Sequence, residues 1–254
     1  MKLSIIRKMK SLFMKWRLHG IVEPFSGAML NTVFMSKLSK WRRKIKVNGY
    51  NDWYQRKWDY DRRYKLYEAI IEKEQLDSLP IDYLEFGVAS GQSFRWWLEH
   101  NKNPGSKFYG FDTFEGLPEN FGHYEKGKLA VALESLNISE ARVNFYKGLF
   151  QDTLVPFLDQ YKSEKKKLIH LDADLFSATL FALSQLYRFL NEGDILLFDE
   201  FAVPKHEFMA FKIFTESFYI NYEVIGAANN YLFLAVKIKG PLNPPKGDLG
   251  DDFR

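Results

Sequence analysis

The chain has 254 residues, 46% hydrophobic and 27% charged, and no cysteine; this excludes disulfides, thiolate metal sites and thiol nucleophiles and fits a reducing compartment. Its net charge of +4 hides a division, because residues 1–46 hold twelve Lys/Arg against one acid, Glu23, for +11, and the remainder carries −7. So acidic a body lacks the basic patch of a nucleic-acid-binding surface, and no nucleic-acid partner is expected.

In chain order the basic arm comes first. Ile5, Ile6, Met9, Leu12, Phe13 and Trp16 recur at helical spacing, with Arg7, Lys8, Lys10, Lys15 and Arg17 largely between them. The stripe has two readings: peripheral contact of residues 1–20 with an anionic membrane surface, or packing on the same chain or on a second subunit of a homo-oligomer. No uninterrupted apolar core precedes a small-residue cleavage site, so no signal peptide is expected. Glu23 and Pro24 interrupt the longest apolar run short of a membrane span. The expected location is the cytoplasm, at the inner face of a membrane if the arm binds lipid. Trp53, Tyr54 and Trp58 read either as a lid or sugar-stacking surface or as a brace between arm and body. Residues 1–61 are thus read as an arm with an aromatic lid or brace, 62–239 as the main body, and the Pro/Gly/Asp-rich residues 240–254 as a flexible tail.

The body alternates helix and strand. Helices are predicted near 62–76, 92–101, 127–137, 152–162, 175–190 and 206–218. Strands are predicted near 81–87, 107–112, 143–147, 167–172, 194–199, 221–226 and 231–237. The implied fold is α/β, a mostly parallel seven-stranded sheet with helices on both faces. Only residues 227–230 separate the last two strands, so these form an antiparallel hairpin.

Four strand ends carry the chemistry. After the first body strand, Glu85-Phe86-Gly87-Val88-Ala89-Ser90-Gly91-Gln92-Ser93 passes through a glycine turn into a helix start. Gly87 and Gly91 allow a tight turn and close backbone approach, and the helix start offers free N–H groups. The next strand ends at Asp112, placed to accept hydrogen bonds from ribose hydroxyls. Two further strands end in paired acids, Asp172-Ala173-Asp174 and Asp199-Glu200. In a parallel sheet these ends share one edge, so Asp172, Asp199 and Glu200 converge and need a cation to offset their repulsion. Oxygen ligands without cysteine suit Mg²⁺, Ca²⁺ or Mn²⁺. Asp174 reads as a helix cap or as a partner behind the ligands. His170 reads as a core histidine that strand alternation turns away from Asp172's neighbours. His123 and His206 read as surface residues or, alternatively, as catalytic or substrate-contacting groups, and Trp96 and Trp97 as core or partly buried.

The turn Glu85-x-Gly87-x-x-x-Gly91-x-Ser93 resembles the cofactor loop of class I S-adenosylmethionine-dependent methyltransferases, whose Rossmann-like sheet of parallel strands closed by a hairpin has the predicted layout. Phe108-Tyr-Gly-Phe-Asp112-Thr-Phe-Glu-Gly-Leu-Pro-Glu119 and His170-Leu-Asp-Ala-Asp-Leu-Phe-Ser-Ala-Thr-Leu180, with Asp199-Glu200 downstream, resemble signatures of the macrocin O-methyltransferase (TylF-like) family over residues 62–237. That resemblance implies S-adenosylmethionine as cofactor, with Glu85 at the loop floor near its methionine end and Ser93 on its carboxylate. It also implies a divalent cation such as Mg²⁺ on Asp172, Asp199 and Glu200, with Asp172 doubling as general base. The family's usual acidic pair is Asp-Asp, which here is Asp199-Glu200. Gly148-Leu-Phe150-Gln151-Asp152 is similar to the turn that borders adenine in catechol-type O-methyltransferases, implying Phe150 on the adenine face and Gln151 at its edge. The expected function is O-methylation of a hydroxyl on a sugar, glycoside or secondary metabolite. The rivals are a metal-independent methyltransferase, a nicotinamide-dependent oxidoreductase, and a membrane-peripheral binding or assembly protein without catalysis.

Overall fold

The computed structural model describes residues 3–119, 125–128 and 130–240. His123 and nearly all of the expected tail lie outside the described residues. The chain forms two compact units, Met1–Lys44 and Ile45–Arg254.

The first unit is helical. Helix α1 (Leu3–Lys15) follows the apolar spacing of the arm, and α2 (His19–Lys44) ends on Arg42, Arg43 and Lys44, cations that favour the carboxyl end of a helix dipole. Between them Arg17 adopts a left-handed conformation, φ 49°. Neither helix contains a buried residue.

The second unit holds strands β1 (Val47–Asn51), β2 (Ile81–Phe86), β3 (Lys107–Asp112), β4 (Val143–Lys147), β5 (Lys166–Leu171), β6 (Ile195–Phe198), β7 (Tyr222–Ala228) and β8 (Phe233–Ile238). They form one sheet in the order β1-β7-β8-β6-β5-β2-β3-β4, parallel except where β8 runs antiparallel between β7 and β6. Around it lie α3 (Arg62–Glu74), α4 (Gln92–His100), α5 (Phe150–Gln160), α6 (Phe176–Leu186) and α7 (Glu207–Ser217). The alternation of helix and strand, the parallel sheet and the closing hairpin follow the sequence.

The sheet has eight strands rather than seven. Strand β1 has the mostly polar sequence Val-Asn-Gly-Tyr-Asn and pairs with β7 at the sheet edge, where no alternation of apolar side chains is needed. A Cβ on Gly49 would meet the Ile225 carbonyl oxygen, so glycine permits the close approach at that bulge. The helix expected at 127–137 is also absent from the described residues, apart from one 3-10 turn at Leu133–Leu136. The backbone of its first residues is engaged elsewhere: Gly127 N–H donates to Leu117 O, and Leu117 N–H donates to Lys128 O. Good helix formers yielded to that pairing.

The central strands are buried on both faces, as parallel strands covered by helices must be; all six residues of β2 are buried. Register then sets the site. Phe86 pairs with Phe111 and with Leu171, and Leu171 pairs with Phe198. Gly87, Asp112, Asp172 and Asp199 therefore leave the sheet at one level. Backbone bonds carry that alignment past the strand ends, from Gly87 N–H to Phe111 O (2.9 Å), Asp172 N–H to Phe86 O (2.9 Å) and Asp199 N–H to Leu171 O (3.1 Å).

Candidate active site

A cavity of about 790 Å³ opens at this edge, lined by Glu85, Gly87, Asp112, Asp172, Asp199 and Glu200 among others. One end is built by the loop from β2 to α4. Gly87 has φ 96°, and a Cβ there would sit 1.9 Å from the Asp172 carbonyl oxygen, so the loop crosses β5 only because this residue is glycine. Ala89 and Gly91 also have positive φ, and Gly91 caps α4. Asp112 holds the loop, accepting Ala89 N–H at Oδ2 (2.9 Å) and Phe114 N–H at Oδ1 (2.6 Å). A carboxylate has lone pairs beyond these two, so Asp112 can still accept from a ligand in the cavity it lines.

Glu85 is buried and accepts a 2.6 Å bond from Tyr83 Oη. Burial raises its carboxyl well above the usual range against the pull of that bond. Ser93 is buried in the first turn of α4, its Oγ 3.4 Å from Tyr67 Oη. Phe150 opens α5 and packs edge-on against Phe86, ring centres 5.2 Å apart, beside Gln151, and both line the cavity. Leu149, which has no polar handle to mark it in the sequence, lines the same wall and is 42% exposed.

The other end is acidic. Asp172 and Asp199 come together, and ligand atoms of His170, Asp172 and Asp199 lie within 4.8 Å of one another. Glu200 lines the cavity but stands outside this trio, its backbone N–H bonded to Glu207 Oε2 (2.9 Å). Asp174 is a further wall residue. Burial, then Asp199 and Asp174, drives the Asp172 carboxyl well above its usual value. Burial and Asp199 bring Asp174 to about 6, and burial with Asp199 and Asp174 brings Glu200 to about 8. Buried Glu207 is raised well above its usual value, chiefly by desolvation.

His170 corrects one expectation. It is a buried core histidine, with Nδ1 2.9 Å from Tyr83 Oη, but it faces the acids rather than away from them. Residues two apart on a strand share a face, and His170 and Asp172 do so. Tyr83 Oη donates to Glu85, which leaves its oxygen to accept from His170 Nδ1, and the other ring nitrogen, Nε2, lies 3.4 Å from Tyr67 Oη. Nε2 also lies 3.7 Å from Asp199 Oδ1, a buried atom without a hydrogen-bond partner among the described residues. The unpartnered Asp199 oxygen, with Asp172 and His170 beside it, fits a cation.

Sequence reading also missed Arg63. From the first turn of α3 its Nη1 reaches Asp199 Oδ2 at 3.2 Å. Nothing in the local sequence marks Arg63 over its neighbour Arg62, which pairs with Asp52. The aromatic segment is tied down by polar bonds: Gln55 N–H to Asn230 Oδ1, Asp59 N–H to Asn229 Oδ1, and Asn229 N–H to Asp52 Oδ1. Trp53 packs edge-on against Tyr231 and is 43% exposed.

A mostly parallel sheet with one antiparallel strand, a glycine loop after β2 and acids at the neighbouring strand ends is the Rossmann-like methyltransferase fold. The solved O-methyltransferase NovP shares it, with a TM-score of 0.54 at 19% identity over 71% of this chain and 79% of that one. The calicheamicin methyltransferase CalS11 does so with a TM-score of 0.52 at 20% identity over 66% and 76%. Residues 57–230 match the macrocin O-methyltransferase (TylF) family, and the chain belongs to it. A curated relative from Streptomyces olivaceus, 8-demethyl-8-(2,3-dimethoxy-alpha-L-rhamnosyl)-tetracenomycin-C 4'-O-methyltransferase, is 29% identical over 154 residues, 52% of this chain. The match spans 58% of that relative's length.

Proposed function

We propose that this protein transfers a methyl group from S-adenosylmethionine to a hydroxyl of a sugar, glycoside or secondary metabolite, assisted by a divalent cation. The observation that carries the reading is that one cavity is shared by the β2–α4 loop and the acids at the ends of β5 and β6. Family membership and the rhamnosyl-tetracenomycin name of the S. olivaceus relative support a sugar hydroxyl as acceptor.

When bound, S-adenosylmethionine supplies the electrophilic methyl, and a cation held by Asp172, Asp199 and His170 Nε2 would lower the pKa of the acceptor hydroxyl. The protein's own part is positioning and proton transfer. Glu85 and the first turn of α4, with Ser93, face the methionine end; Asp112 faces the ribose; Leu149, Phe150 and Gln151 form the adenine wall. Asp172 takes the hydroxyl proton as the oxygen attacks the methyl carbon, and the carbon–sulfur bond breaks to release S-adenosylhomocysteine. Holding two reactants in line accounts for most of the acceleration.

The Arg63–Asp199 ion pair favours a second reading, in which the guanidinium supplies the positive charge and no metal is needed. One experiment addresses both: calorimetric titration with S-adenosylhomocysteine in magnesium and in chelator, followed by turnover on rhamnosylated acceptors. Micromolar-order binding is expected. Turnover lost in chelator selects the metal-assisted reading, turnover kept selects Arg63, and absence of binding in both buffers overturns methyl transfer.

A further inference from the structure

The cavity does not account for the first unit. Helix α1 (Leu3–Lys15) carries Ile5, Ile6, Met9, Leu12 and Phe13 along one face, continued by Trp16, and Ser4, Arg7, Lys8, Ser11 and Lys15 along the other. None of these side chains is buried; Met9 is 58% and Trp16 69% exposed. An apolar stripe this complete has been left without a core.

Charge decides what covers it. Arg7, Lys8, Lys10, Lys15 and Arg17 are joined by no acid before Glu23. A second copy seated stripe to stripe would bring two strongly cationic helices side by side, with no carboxylate on α1 to offset their repulsion. An anionic lipid surface answers both faces at once. Its headgroups neutralise the lysines and arginines, and its acyl boundary takes the apolar stripe, with the Trp16 ring at the interface. Helix α2 extends the pattern. Ile21, Phe25, Met29 and Val33 are exposed, Lys37 to Lys44 is rich in cations, and no described helix is long and apolar enough to cross a membrane.

We propose that α1 lies in the plane of an anionic bilayer, apolar face down, and anchors the protein reversibly to that surface. An acceptor that is itself lipid-linked or made at the membrane would then meet the cavity at raised local concentration. The anchoring claim stands on α1 alone and does not depend on the methyl-transfer reading.

The test is co-sedimentation of the full chain with vesicles of phosphatidylcholine alone and of phosphatidylcholine mixed with phosphatidylglycerol. Pelleting with the mixed vesicles only is expected, weakened roughly tenfold between about 0.1 M and about 0.5 M salt as the charges are screened. The double variant L12D/F13D should bind roughly tenfold or more weakly, and K8E/K10E should lose the anionic preference. Both variants alter side chains outside any core, and an unchanged thermal transition shows that the second unit is intact. Three results overturn the proposal: no pelleting with anionic vesicles, equal pelleting with neutral ones, or vesicle binding unchanged in L12D/F13D while its molar mass in solution falls. The last would give the stripe to a second copy.

Discussion

The Arg63 guanidinium lies 3.2 Å from Asp199 Oδ2, and its Cζ rests 4.9 Å from the centre of the Phe233 ring. Asp199 is thus divided between two neighbours. One oxygen meets an internal cation, while Oδ1 turns towards His170 Nε2 and the Asp172 carboxylate with no hydrogen bond of its own among the described residues. A second cation at Oδ1 would share Asp199 with Arg63 rather than replace it.

Removing the guanidinium tests that division. In Arg63→Met the apolar contact with Phe233 is kept and the charge is lost. Asp199 then loses the cation that pairs its Oδ2, at a cost of about 2 kcal/mol for a pair whose guanidinium keeps some solvent contact. For a domain of this size that lowers Tm by roughly 4–8 °C in chelator. Millimolar Mg²⁺ or Mn²⁺ should restore most of the loss, read by calorimetric melting. No loss in chelator would show that Arg63 does not balance the acids; loss without rescue would assign the positive charge to Arg63 alone.

Gly87→Ala should be far more damaging. Its Cβ would lie 1.9 Å from the Asp172 carbonyl oxygen, at a φ of 96° that side chains resist. The β2–α4 loop or β5 must shift, at a cost of about 3 kcal/mol or more. Expected outcomes are a fall in Tm and no detectable S-adenosylhomocysteine binding, because the same displacement misplaces both ends of the cavity. Gly127→Ala, with open space at its Cβ but φ 83°, should be much milder and serves as the control.

How far the site was legible depended on which residues announce themselves along the chain. Glycines and acids at the ends of apolar runs did so, because parallel strands deliver their carboxyl ends to one edge whatever their detailed packing. Gly87, Asp112, Asp172 and Asp199 reach that edge. Residues brought in from elsewhere gave no local signal. Arg63 reaches the site from a helix that precedes β2, and Leu149 is an ordinary leucine until α5 starts beside it. His170 was visible but was assigned the wrong side, although strand periodicity puts it with Asp172. Strand β1 escaped because an edge strand need not alternate, and the expected 127–137 helix failed because Leu117 claims its backbone.

Asp112 has two roles that a substitution can separate from the acidic end. Asp112→Ala leaves the Ala89 and Phe114 amides without their acceptor and removes the group facing the ribose. Each lost bond is worth about 1–1.5 kcal/mol, so S-adenosylhomocysteine should bind at least tenfold more weakly by calorimetry. Divalent-cation binding should be unchanged, since Asp112 is not in the His170, Asp172 and Asp199 trio. Equal cofactor affinity in variant and wild type would remove Asp112 from the binding wall.

Glu74 gives a pH-dependent prediction remote from the cavity. At the end of α3 it accepts Lys166 Nζ (2.7 Å) and Lys237 Nζ (2.8 and 2.9 Å), joining β5 and β8, which flank β6. Burial pushes its carboxyl up, but the two lysines pull harder, and the net shift is downward. A carboxylate with a lower pKa folded than unfolded adds stability above the ordinary Glu range and loses it as pH falls through the folded value. Glu74→Gln should therefore be less stable than wild type at pH 7 by about 1–3 kcal/mol. At about pH 3, where the unfolded carboxyl is protonated, most of that difference should vanish. Thermal melts of both proteins across this range decide it, because every other acid is common to the pair and cancels; a gap that stays constant with pH would mean the lysines contribute packing rather than charge.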